Sequence, residues 1–412
     1  MLEIAKKIFD AGGRLYLVGG AVRDELMGNI PHDEDYCITG LSIEEFKKIF
    51  PNANVRGKTF EVFDINGKEF AMARIENKVS KGHKGFNVKT GKDISIQQDL
   101  ARRDVTINAI AKDVLTGKII DPYNGMEDIK NGILRATTEK FKEDPLRVYR
   151  VARMAATFNF IVEENTKELM HSLKQELNSL SAERVFSEFR KALNSKKPSI
   201  FFEVLKDISV LDVHFKEIYD LVGAEQPIKY HPEGDSYNHT MQVLDRASKL
   251  TDNEIIRYSA LVHDLGKGIT PKELYPHHYG HDIKGVEVVG RLSNRIKVPN
   301  SWKKAGKTSA KEHMMGGIFE QMTPQKQVDF IERVSKSILR LEGLKIVVTA
   351  DKWREKEPKV ADFVGIGNYL FSKITGDDII KKYGITDGIK IKEKLREERI
   401  KLMKEYNKNL CN

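Results

Sequence analysis

The sequence predicts an α+β fold in roughly the first third of the chain and an all-helical fold after it. In the first part, short apolar runs alternate with amphipathic segments and glycine turns, a pattern typical of a mixed sheet with helices. In the second part, apolar residues recur at the i, i+3, i+4 spacing of helices. A chain of 412 residues is long enough for about two to four domains. We predict three: a head over 1–140, a helical neck and body over 141–222, and a further helical domain with its tail over 223–412.

A glycine pair follows the first strand of the head. The apolar run 15–18 predicts that strand, Gly19 and Gly20 follow it, and the next helix carries Arg23. Backbone N–H groups at a glycine turn and a helix start suit phosphate oxygens, and an arginine adds a planar pair of donors. A glycine pair alone is more often an ordinary turn. The arginine beside it favours a phosphate site.

The next predicted strand is acidic and carries Asp33, Glu34 and Asp35. Side chains alternate faces along a strand, so Asp33 and Asp35 are expected on one face and Glu34 on the other. Two carboxylates on one face can hold the pair of divalent metals that promotes phosphoryl displacement. Glu69, on a later strand, is a candidate third acidic group or an ordinary surface residue. The phosphate and metal patterns together predict nucleotidyl transfer, because independent signals reinforce each other.

Further patterns organise the middle of the head. A helix capped by Ser42 is expected over 42–50, and strands over 61–65 and 69–75 are joined by an Asn-Gly turn. The polar stretch 76–94 is predicted to be a loop, either a disordered connection or a functional lid. Its lysines would give such a lid affinity for phosphate: Lys78, Lys81, Lys84 and Lys89.

Two arginine-bearing stretches follow. Arg102 and Arg103 precede the apolar stretch 106–111, which is predicted to be a packing helix with both arginines at its start. Asp144 and Pro145 predict the start of another helix, because aspartate caps helices and proline suits their first turn. That helix carries an arginine at every third position: Arg147, Arg150 and Arg153.

Asp144 and Arg147 lie one turn apart and together suit two of the four nucleobases. Cytosine and adenine each place an exocyclic amino donor next to a ring-nitrogen acceptor, which match a carboxylate and an arginine. Uracil and guanine present a carbonyl where the amino group would be, and a carboxylate repels it. The pair therefore predicts selection of C and A without a nucleic-acid template, whereas the alternative is a helix cap beside a solvated basic face.

The C-terminal half carries a histidine–aspartate pattern typical of a metal site. His263 and Asp264 are adjacent and precede Gly-Lys-Gly, His239 lies upstream, and Asp351 lies in a later apolar helix. Imidazole and carboxylate ligands together suit divalent transition metals. A lone histidine is more often a core or surface residue, but this combination predicts a metal site. Further histidines follow in the segment PHHYGHDIKG: His277, His278 and His281.

Composition limits the remaining function classes. The net charge of +9, from 69 basic and 60 acidic residues, is compatible with a polyanionic partner. The two cysteines, Cys37 and Cys411, form no metal-binding pair and give no sign of an oxidising compartment. The sequence shows no signal peptide and no run of ~20 apolar residues, so we expect a cytoplasmic protein that does not enter a membrane. Nothing in the sequence calls for an obligate protein partner.

Five ordered motifs resemble those of the class II tRNA nucleotidyltransferases, the CCA-adding branch of the polymerase beta superfamily. LVGGAVRD resembles their nucleotide-binding motif, and DED resembles their metal motif. RRDVTINA resembles their sugar-recognition motif. EDPLR and the arginines that follow it resemble the amino-acid template for base selection. The resemblance covers roughly residues 1–215 and implies a polymerase-beta-like nucleotidyltransferase head. It implies catalytic Mg²⁺ at Asp33 and Asp35, with tRNA, ATP and CTP as partners. It also implies nucleotide contacts at Gly20, Arg23, Arg103, Asp144, Arg147, Arg150 and Arg153.

The C-terminal half resembles the HD phosphohydrolase domain, in the order found in multifunctional CCA-adding proteins. The resemblance implies 2′-nucleotidase, 2′,3′-cyclic phosphodiesterase and phosphatase activity. It also implies a transition metal, nickel, cobalt or manganese, at His239, His263, Asp264 and Asp351. One position departs from the pattern, because these relatives carry His-Asp where this chain has His313-Met314. That departure predicts one tightly held metal rather than two.

Two other functions are compatible with the sequence. The first is a poly(A) polymerase, or a partial enzyme that adds only CC or only A. The lysine-rich stretch 76–94 argues against CC addition alone, because in this family that loop is linked to A addition. The second is an HD phosphohydrolase whose head only binds RNA, and the intact Asp33 and Asp35 argue against it. The sequence favours addition of C, C and A to the 3′ end of tRNA, with release of pyrophosphate.

Overall fold

The computed structural model describes residues 1–31, 33–56, 61–78, 86–229, 231–353 and 358–410, and it divides into two compact units. The first unit comprises Met1–Ala192 with Ile200–Val213, and the second comprises Leu193–Ser199 with His214–Asn412. The first unit mixes strands with helices, whereas the described part of the second is built of helices. This confirms the predicted α+β class with a helical C-terminal half, and the division into three domains stays a prediction.

The strands all lie in the first unit. They are β1 Arg14–Val18, β2 Asp35–Thr39, β3 Asn54–Arg56, β4 Val62–Ile65, β5 Lys68–Met72, β6 Arg74–Lys78, β7 Phe86–Thr90, β8 Ala111–Asp113, β9 Ile119–Ile120, β10 Ile133–Leu134 and β11 Ile161–Val162. The main sheet has seven strands in the order β3-β4-β5-β2-β1-β8-β9, and two small sheets pair β6 with β7 and β10 with β11.

Helices surround the sheet and build the second unit. Those up to His214 are α1 Leu2–Asp10, α2 Gly20–Leu26, α3 Ile43–Ile49, α4 Ile96–Ala101, α5 Gly125–Asn131, α6 Leu146–Phe158, α7 Glu164–Ser172, α8 Ala182–Leu193, α9 Ser199–Asp207 and α10 Leu211–His214. Those after it are α11 Lys216–Tyr219, α12 Ser236–Leu250, α13 Glu254–Val262, α14 His281–Arg295, α15 Asn300–Gly317, α16 Pro324–Ser335, α17 Arg340–Lys352, α18 Phe363–Lys373, α19 Gly376–Tyr383 and α20 Gly388–Leu410. None of the helices within the described ranges is both long and apolar enough to cross a membrane.

Strand β1 is apolar along its length because both of its faces are covered. Leu15 and Leu17 belong to one buried cluster, and Tyr16 and Val18 belong to another. The strand lies between β2 and β8 and pairs antiparallel with both. This buried centre fixes the position of β2, whose first residue begins the acidic edge described below.

The structure confirms several predicted elements of the head. Ser42 caps α3 and forms a reciprocal capping box with Glu45. Strands β4 and β5 pair antiparallel across the predicted turn, in which Asn66 and Gly67 both have positive φ, at 53° and 76°. Positive φ at both central residues is the requirement of a tight hairpin turn that suits strand twist.

The polar stretch 76–94 contains strands, so the prediction of a loop is wrong for part of it. Strands β6 and β7 pair antiparallel, with Ile75 opposite Lys89 and Arg74 opposite Thr90. The pairing satisfies the backbone groups whatever the side chains are, so a polar stretch can form strands. The predicted lid lysines Lys81 and Lys84 lie outside the described residues.

Two other predicted boundaries are wrong. Residues 106–111 do not form a helix: a 3₁₀ turn over Thr106–Asn108 precedes strand β8, and Arg102 and Arg103 follow the end of α4. β-Branched residues in this buried turn disfavour a helix. Strand β2 begins at Asp35 rather than at Asp33, because Asp35 pairs with Val18, the last residue of β1. Beyond that point the first strand turns away into α2 and offers no backbone partner.

The second unit has its main core among helices α15 to α18 and α20. Three buried phenylalanines, Phe319, Phe330 and Phe363, pack with ring centroids 5.4–5.7 Å apart. A smaller buried cluster joins α12, α13 and α17, with Val243, Ala260 and Val347 among its members. These three helices end at or carry the histidine and aspartate residues of the predicted metal site, so the core fixes the site.

Candidate active sites in the two units

A cavity of about 930 Å³ in the first unit collects most of the predicted nucleotide-binding residues. That volume suits a drug-sized or nucleotide-sized ligand. The predicted residues that line it are Gly20, Asp35, Arg103, Asp144, Arg147 and Arg150. Asp33, Arg23 and Arg153 are not among the lining residues. One cavity therefore brings together predicted residues that lie more than a hundred positions apart in the sequence.

Two carboxylates meet at the edge of the cavity. The parallel pairing of β2 and β5 sets Asp35 directly beside Glu69, and both residues line the cavity. Asp33 is exposed and precedes the strand. Glu34 is engaged elsewhere, since its carboxylate accepts from Lys68 Nζ at 2.5 Å and from the Tyr36 hydroxyl at 2.9 Å. Asp35 and Glu69 thus form the acidic edge of the cavity.

Arg103 approaches the glycine turn closely. A Cβ added to Gly19, which has φ of +73°, would lie 2.5 Å from Arg103 Nη1. Asp99 is buried beneath this arginine, with Oδ2 3.5 Å from Arg103 Nη2. Burial raises the pKa of Asp99, but the neighbouring arginines outweigh burial and hold that pKa below its usual range. Arg103 Nε is buried and has no hydrogen-bond partner among the described residues, so the guanidinium keeps donor capacity for an anion.

Arg23 is held beside the cavity rather than in its lining. Its guanidinium donates to Asp24 Oδ1 at 2.7 Å and to Asn108 Oδ1 at 2.7 Å. It also lies over the ring of Phe158, 4.6 Å from the centroid. These contacts fix the orientation of the Arg23 side chain behind the glycine turn.

Asp144 and Arg147 both line the cavity, and both have protein partners. Asp144 Oδ1 accepts from the backbone N–H of Leu146, the first residue of α6, at 3.0 Å, so its side chain caps the helix as predicted although Pro145 rather than Asp144 occupies the N-cap position. Its Oδ2 accepts from Arg184 Nη2 at 2.9 Å. Arg147 donates to the carbonyl oxygens of Lys140 and Arg102, each at 2.6 Å. The predicted base-selecting pair is therefore held in a fixed position within the cavity.

The remaining predicted arginines bind buried carboxylates. Arg150 donates to Asp104 Oδ2 from Nε at 2.8 Å. Burial raises the pKa of Asp104, but the Arg150 guanidinium outweighs burial and holds that pKa well below its usual range. Arg153 donates to Glu188 Oε2 at 2.6 Å. Arg150 lines the cavity, whereas Arg153 joins α6 to α8.

The sequence reading missed Arg184 and the buried carboxylates. Arg184 lines the cavity, and its Nη1 is buried without a hydrogen-bond partner in the described part of the chain. Arg184 and Glu188 are four residues apart on one face of α8, where charges of opposite sign recur beside apolar residues. This four-residue spacing of opposite charges was the sequence signal that could have identified Arg184. Asp99 and Asp104 carried none, because their burial beside arginines depends on tertiary packing.

In the second unit, side chains from five helical elements converge on one buried cluster. His239 lies on α12, His263 ends α13, and Asp351 lies near the end of α17. His239 Nε2 is 2.9 Å from Asp351 Oδ1, and His263 Nε2 is 3.2 Å from Asp264 Oδ2. The structure thus brings together all four predicted ligands.

Two more histidines complete the cluster on the other side of Asp264. His281 at the start of α14 and His313 on α15 each place Nε2 3.3 Å from Asp264 Oδ1. His281 stood out in the sequence only as one of a run of histidines, and His313 only through its neighbour. Met314 is 45% exposed, whereas His313 is 1% exposed. Asp264 belongs to two groups of residues that could hold a metal, one with His239 and His263 and one with His281 and His313, and the expectation of a single metal stays a prediction.

The hydrogen bonds of three of the clustered histidines favour the tautomer that can bind a cation through Nε2. Nδ1 of His263, His281 and His313 lies 2.7–3.1 Å from backbone carbonyl oxygens, to which only an N–H can donate. A histidine must be neutral to bind a metal, and in that form its single N–H is the one at Nδ1, so the Nε2 lone pair is available to a cation. Fixing of the tautomer by a bond at the other ring nitrogen is usual for metal-ligating histidines.

Buried charges in the cluster also point to cations. Asp264 Oδ1, His263 Nε2 and His281 Nε2 are buried and have no hydrogen-bond partner among the described residues. Lys267 Nζ lies 2.6 Å from Asp264 Oδ2 and offsets one negative charge. Burial lowers the pKa of His263, but the carboxylates of Asp264 and Asp351 outweigh it and raise that pKa to about 10. A field that favours a proton this strongly also favours a divalent cation, and the donor set fits one.

Family models match three successive segments of the chain. The Poly A polymerase head domain matches residues 15–135, the "Probable RNA and SrmB- binding site of polymerase A" matches 159–221, and the HD domain matches 236–340. A Multifunctional CCA protein of Mannheimia succiniciproducens is 41% identical over 350 residues, which cover 82% of this chain and 83% of that protein. The chain belongs to the multifunctional CCA protein family. A second relative of that name, from Shewanella frigidimarina, is 46% identical over 297 residues, or 70% of this chain and 71% of that protein.

Solved structures share the fold. A CCA-adding enzyme in complex with CTP superimposes with a TM-score of 0.67 at 20% identity, over 98% of this chain and 88% of that one. A CCA-adding enzyme of Thermotoga maritima complexed with tRNA gives a TM-score of 0.65 at 18% identity, over 97% of this chain and 90% of that one. These comparisons confirm the predicted family and its order of a nucleotidyltransferase head before an HD domain.

Gly19→Ala is expected to weaken binding of CTP and ATP by about 10-fold each, because the added Cβ strains the backbone by about 1–3 kcal/mol and displaces Arg103. Isothermal titration of each nucleotide measures the effect. Gly28→Ala is the matched control, since Gly28 also has positive φ, +75°, but a Cβ there meets nothing within 4 Å. Equal affinities in the two variants would contradict a role for the Gly19–Arg103 contact.

Proposed function

We propose that this protein adds C, C and A to the 3′ end of tRNA, using CTP and ATP without a nucleic-acid template and releasing pyrophosphate. The observation that carries the proposal is a single cavity lined by an acidic edge, Asp35 and Glu69, by Arg103, and by the base-selecting residue Asp144. Nucleotidyl transfer needs these three things in one place: a metal position at the reacting phosphate, cationic donors for the triphosphate, and a contact for the base.

Asp33 and Asp35 are proposed to hold Mg²⁺, with Glu69 as a third acidic neighbour. Asp35 and Glu69 are supported by their register in the sheet and their place in the cavity lining. Mg²⁺ bound there would activate the tRNA 3′-hydroxyl for attack on the α-phosphate and stabilise the leaving pyrophosphate. The residues of the chain orient the reactants: Gly20 and Arg103 are proposed to bind the triphosphate from the glycine turn, with Arg23 held behind it.

Base selection is proposed to rest on Asp144 and Arg147. In the structure Arg184 donates to one oxygen of Asp144, and the backbone of Leu146 donates to the other. A cytosine or adenine amino group would compete with Arg184 for Oδ2, and uracil or guanine would bring a carbonyl against it. Both accepted bases therefore use one carboxylate, which explains how a single site adds two nucleotides without a template.

The helical segment after the cavity is proposed to bind tRNA. It coincides with the match to an RNA-binding site of polymerase A over residues 159–221, and the whole chain carries a net charge of +9. A positive surface attracts the phosphate backbone without reading its sequence. Since tRNA and nucleoside triphosphates are cytoplasmic, we propose that the protein works in the cytoplasm.

The direct test incubates the protein with tRNA that lacks its CCA end and with labelled CTP and ATP, alone and together. We expect two C residues from CTP alone, no addition from ATP alone, and CCA from both. A poly(A) polymerase would extend the tRNA with ATP alone, and a CC-adding enzyme would never incorporate ATP. Asp35→Asn and Asp33→Asn should each lower incorporation of both nucleotides by about 1000-fold or more, as loss of several kcal/mol of metal stabilisation implies.

Glu34→Gln is the matched control for these variants. Glu34 lies between the two aspartates, but its carboxylate is bonded to Lys68 and Tyr36. We expect it to keep activity within a few-fold of the unaltered protein, with all variants binding tRNA equally in a gel-shift assay. Full activity in Asp35→Asn, or equal loss in Glu34→Gln, would contradict the assignment of the metal position.

Asp144→Asn should separate base selection from helix capping. Asparagine caps helices about as well as aspartate, so the variant should fold normally. Its neutral amide replaces the carboxylate oxygen that Arg184 and the base amino group share, which should lower discrimination against UTP and GTP by about 10-fold or more. Incorporation of all four nucleotides, each alone, measures the ratio. If the variant keeps full discrimination, Asp144 is a helix cap and nothing more.

We also propose that the second unit is a metal-dependent phosphohydrolase. The four ligands His239, His263, Asp264 and Asp351 are proposed to hold the tighter cation, nickel, cobalt or manganese, and His281 and His313 with Asp264 a weaker one. Such a cation would activate water for attack on a phosphate ester. The proposed substrates are 2′-phosphates and 2′,3′-cyclic phosphates of nucleotides, the RNA ends that block CCA addition.

The His263→Ala/Asp264→Ala variant should lose release of phosphate from 2′-AMP and opening of 2′,3′-cyclic AMP, because it removes two ligands of the tighter cation. The assay compares nickel, cobalt, manganese and magnesium, and CCA addition by the same variant should continue. His277→Ala is the control, since His277 is an exposed histidine of the same segment. Equal hydrolysis by the unaltered protein and the double variant would contradict the proposed hydrolytic site.

A further inference from the structure

One of the four clustered histidines differs from the others in the group that receives its second N–H. His239 Nδ1 lies 2.6 Å from Glu233 Oε1, whereas Nδ1 of His263, His281 and His313 meets backbone carbonyl oxygens. The Glu233 side chain is only 4% exposed. A hydrogen bond to a carboxylate is about twice as strong as one to a neutral acceptor. His239 is therefore the histidine whose orientation and basicity are most strongly controlled.

Glu233 is itself held in place by its own segment. His231 Nδ1 lies 3.1 Å from the same Glu233 Oε1, and the His231 ring meets the His239 ring edge to face with centroids 4.8 Å apart. Gly234 donates its backbone N–H to the His231 carbonyl, which closes the chain into a turn around Glu233. Asp235 then caps α12 by accepting from the backbone N–H of Asn238. The turn and the helix cap together fix the carboxylate against the helix that carries His239.

We propose that Glu233 is a positioning residue of the histidine–aspartate cluster, and that His231 keeps Glu233 in position. The Glu233 carboxylate accepts the Nδ1 proton of His239, so Nε2, 2.9 Å from Asp351 Oδ1, is the ring nitrogen left to bind a cation. Glu233 and His231 lie on the Nδ1 side of His239, whereas Asp351 lies on its Nε2 side. The proposal rests on the proposed metal site and adds the residues that tune it. Partners of this kind typically change metal affinity by about 10–100-fold.

A purely structural role for Glu233 makes a different prediction. As a buried ion-pair acceptor, Glu233 would support folding, and its loss would lower the melting temperature equally with and without metal. As a positioning residue, its loss weakens metal binding itself. The two roles are distinguished by measuring Co²⁺ affinity directly and by comparing melting temperatures of the metal-free and the Co²⁺-loaded protein.

The test compares the full chain with Glu233→Gln, in which an amide of the same shape replaces the carboxylate. We expect Glu233→Gln to bind Co²⁺ about 10–100-fold more weakly by isothermal titration calorimetry. Its melting temperature should rise less on addition of Co²⁺ than that of the unaltered chain. Glu225→Gln makes the same chemical change at an exposed carboxylate earlier in the same segment, and it should bind Co²⁺ normally. His231→Ala should give a smaller loss, because the bond from His239 to Glu233 remains.

The outcomes separate this proposal from the metal site on which it rests. If the unaltered chain binds no Co²⁺, both are overturned. If it binds Co²⁺ and Glu233→Gln binds equally well, only the positioning role is overturned. If Glu233→Gln does not fold, His231→Ala decides: a loss of Co²⁺ affinity supports the proposal, and unchanged affinity overturns it.

Discussion

Buried carboxylates determine the arrangement of both sites, because a buried negative charge needs a partner. In the first unit the partners are arginines: Asp99 lies against Arg103, and Asp104 binds Arg150. Each arginine is thereby fixed at the cavity before any ligand arrives. Pairing within the protein lets these cations be positioned without the cost of burying an isolated charge. The cavity is thus prepared for a polyanion.

In the second unit the partners of the buried carboxylate are histidines, and the resulting cluster favours cations rather than anions. Asp264 is surrounded by imidazole rings whose Nδ1 atoms are bonded to backbone carbonyl oxygens and whose Nε2 atoms face the carboxylate. Lys267 offsets part of the charge. What remains is a group of oxygen and nitrogen donors that a divalent cation would satisfy. If the proposed functions hold, one chain carries an anion-binding site for nucleotides and a cation-binding site for hydrolysis. A 2′,3′-cyclic phosphate removes the free 3′-hydroxyl that CCA addition needs, which gives a chemical reason for joining the two.

The sequence correctly predicted the structural elements that depend on neighbouring residues. It failed for elements whose bounds depend on residues far away in the chain. The Asn66-Gly67 hairpin and the Ser42 cap follow from neighbouring residues, and both formed as predicted. Strand β2 begins later than predicted because its first residue is set by where β1 ends, which no local pattern encodes. The stretch 106–111 had apolar residues at helical spacing, but burial in the sheet gave it a turn and a strand.

The residues of the candidate sites also divide into those that a local motif predicted and those that only tertiary packing brings into place. Asp144 and His263 belong to motifs of adjacent residues and were predicted by number. Arg184 reaches the cavity only through the packing of α8 against α6, and His281 joins the cluster only because α14 begins beside Asp264. The proposed role of Glu233 could not be predicted from the sequence for the same reason, since it depends on a turn that folds back on His239. Residues that act through tertiary contacts need the structure to be recognised.

The most direct measurement of the account is anomalous X-ray scattering from crystals of the full chain grown with Mn²⁺ and a non-hydrolysable CTP analogue. We expect one Mn²⁺ signal against the Asp35 carboxylate, beside the triphosphate in the cavity. We expect a second among His239, His263, Asp264 and Asp351. Clear density for the nucleotide without manganese at Asp35, or a histidine–aspartate cluster that stays free of manganese, would contradict the claim that these carboxylates are arranged for cations.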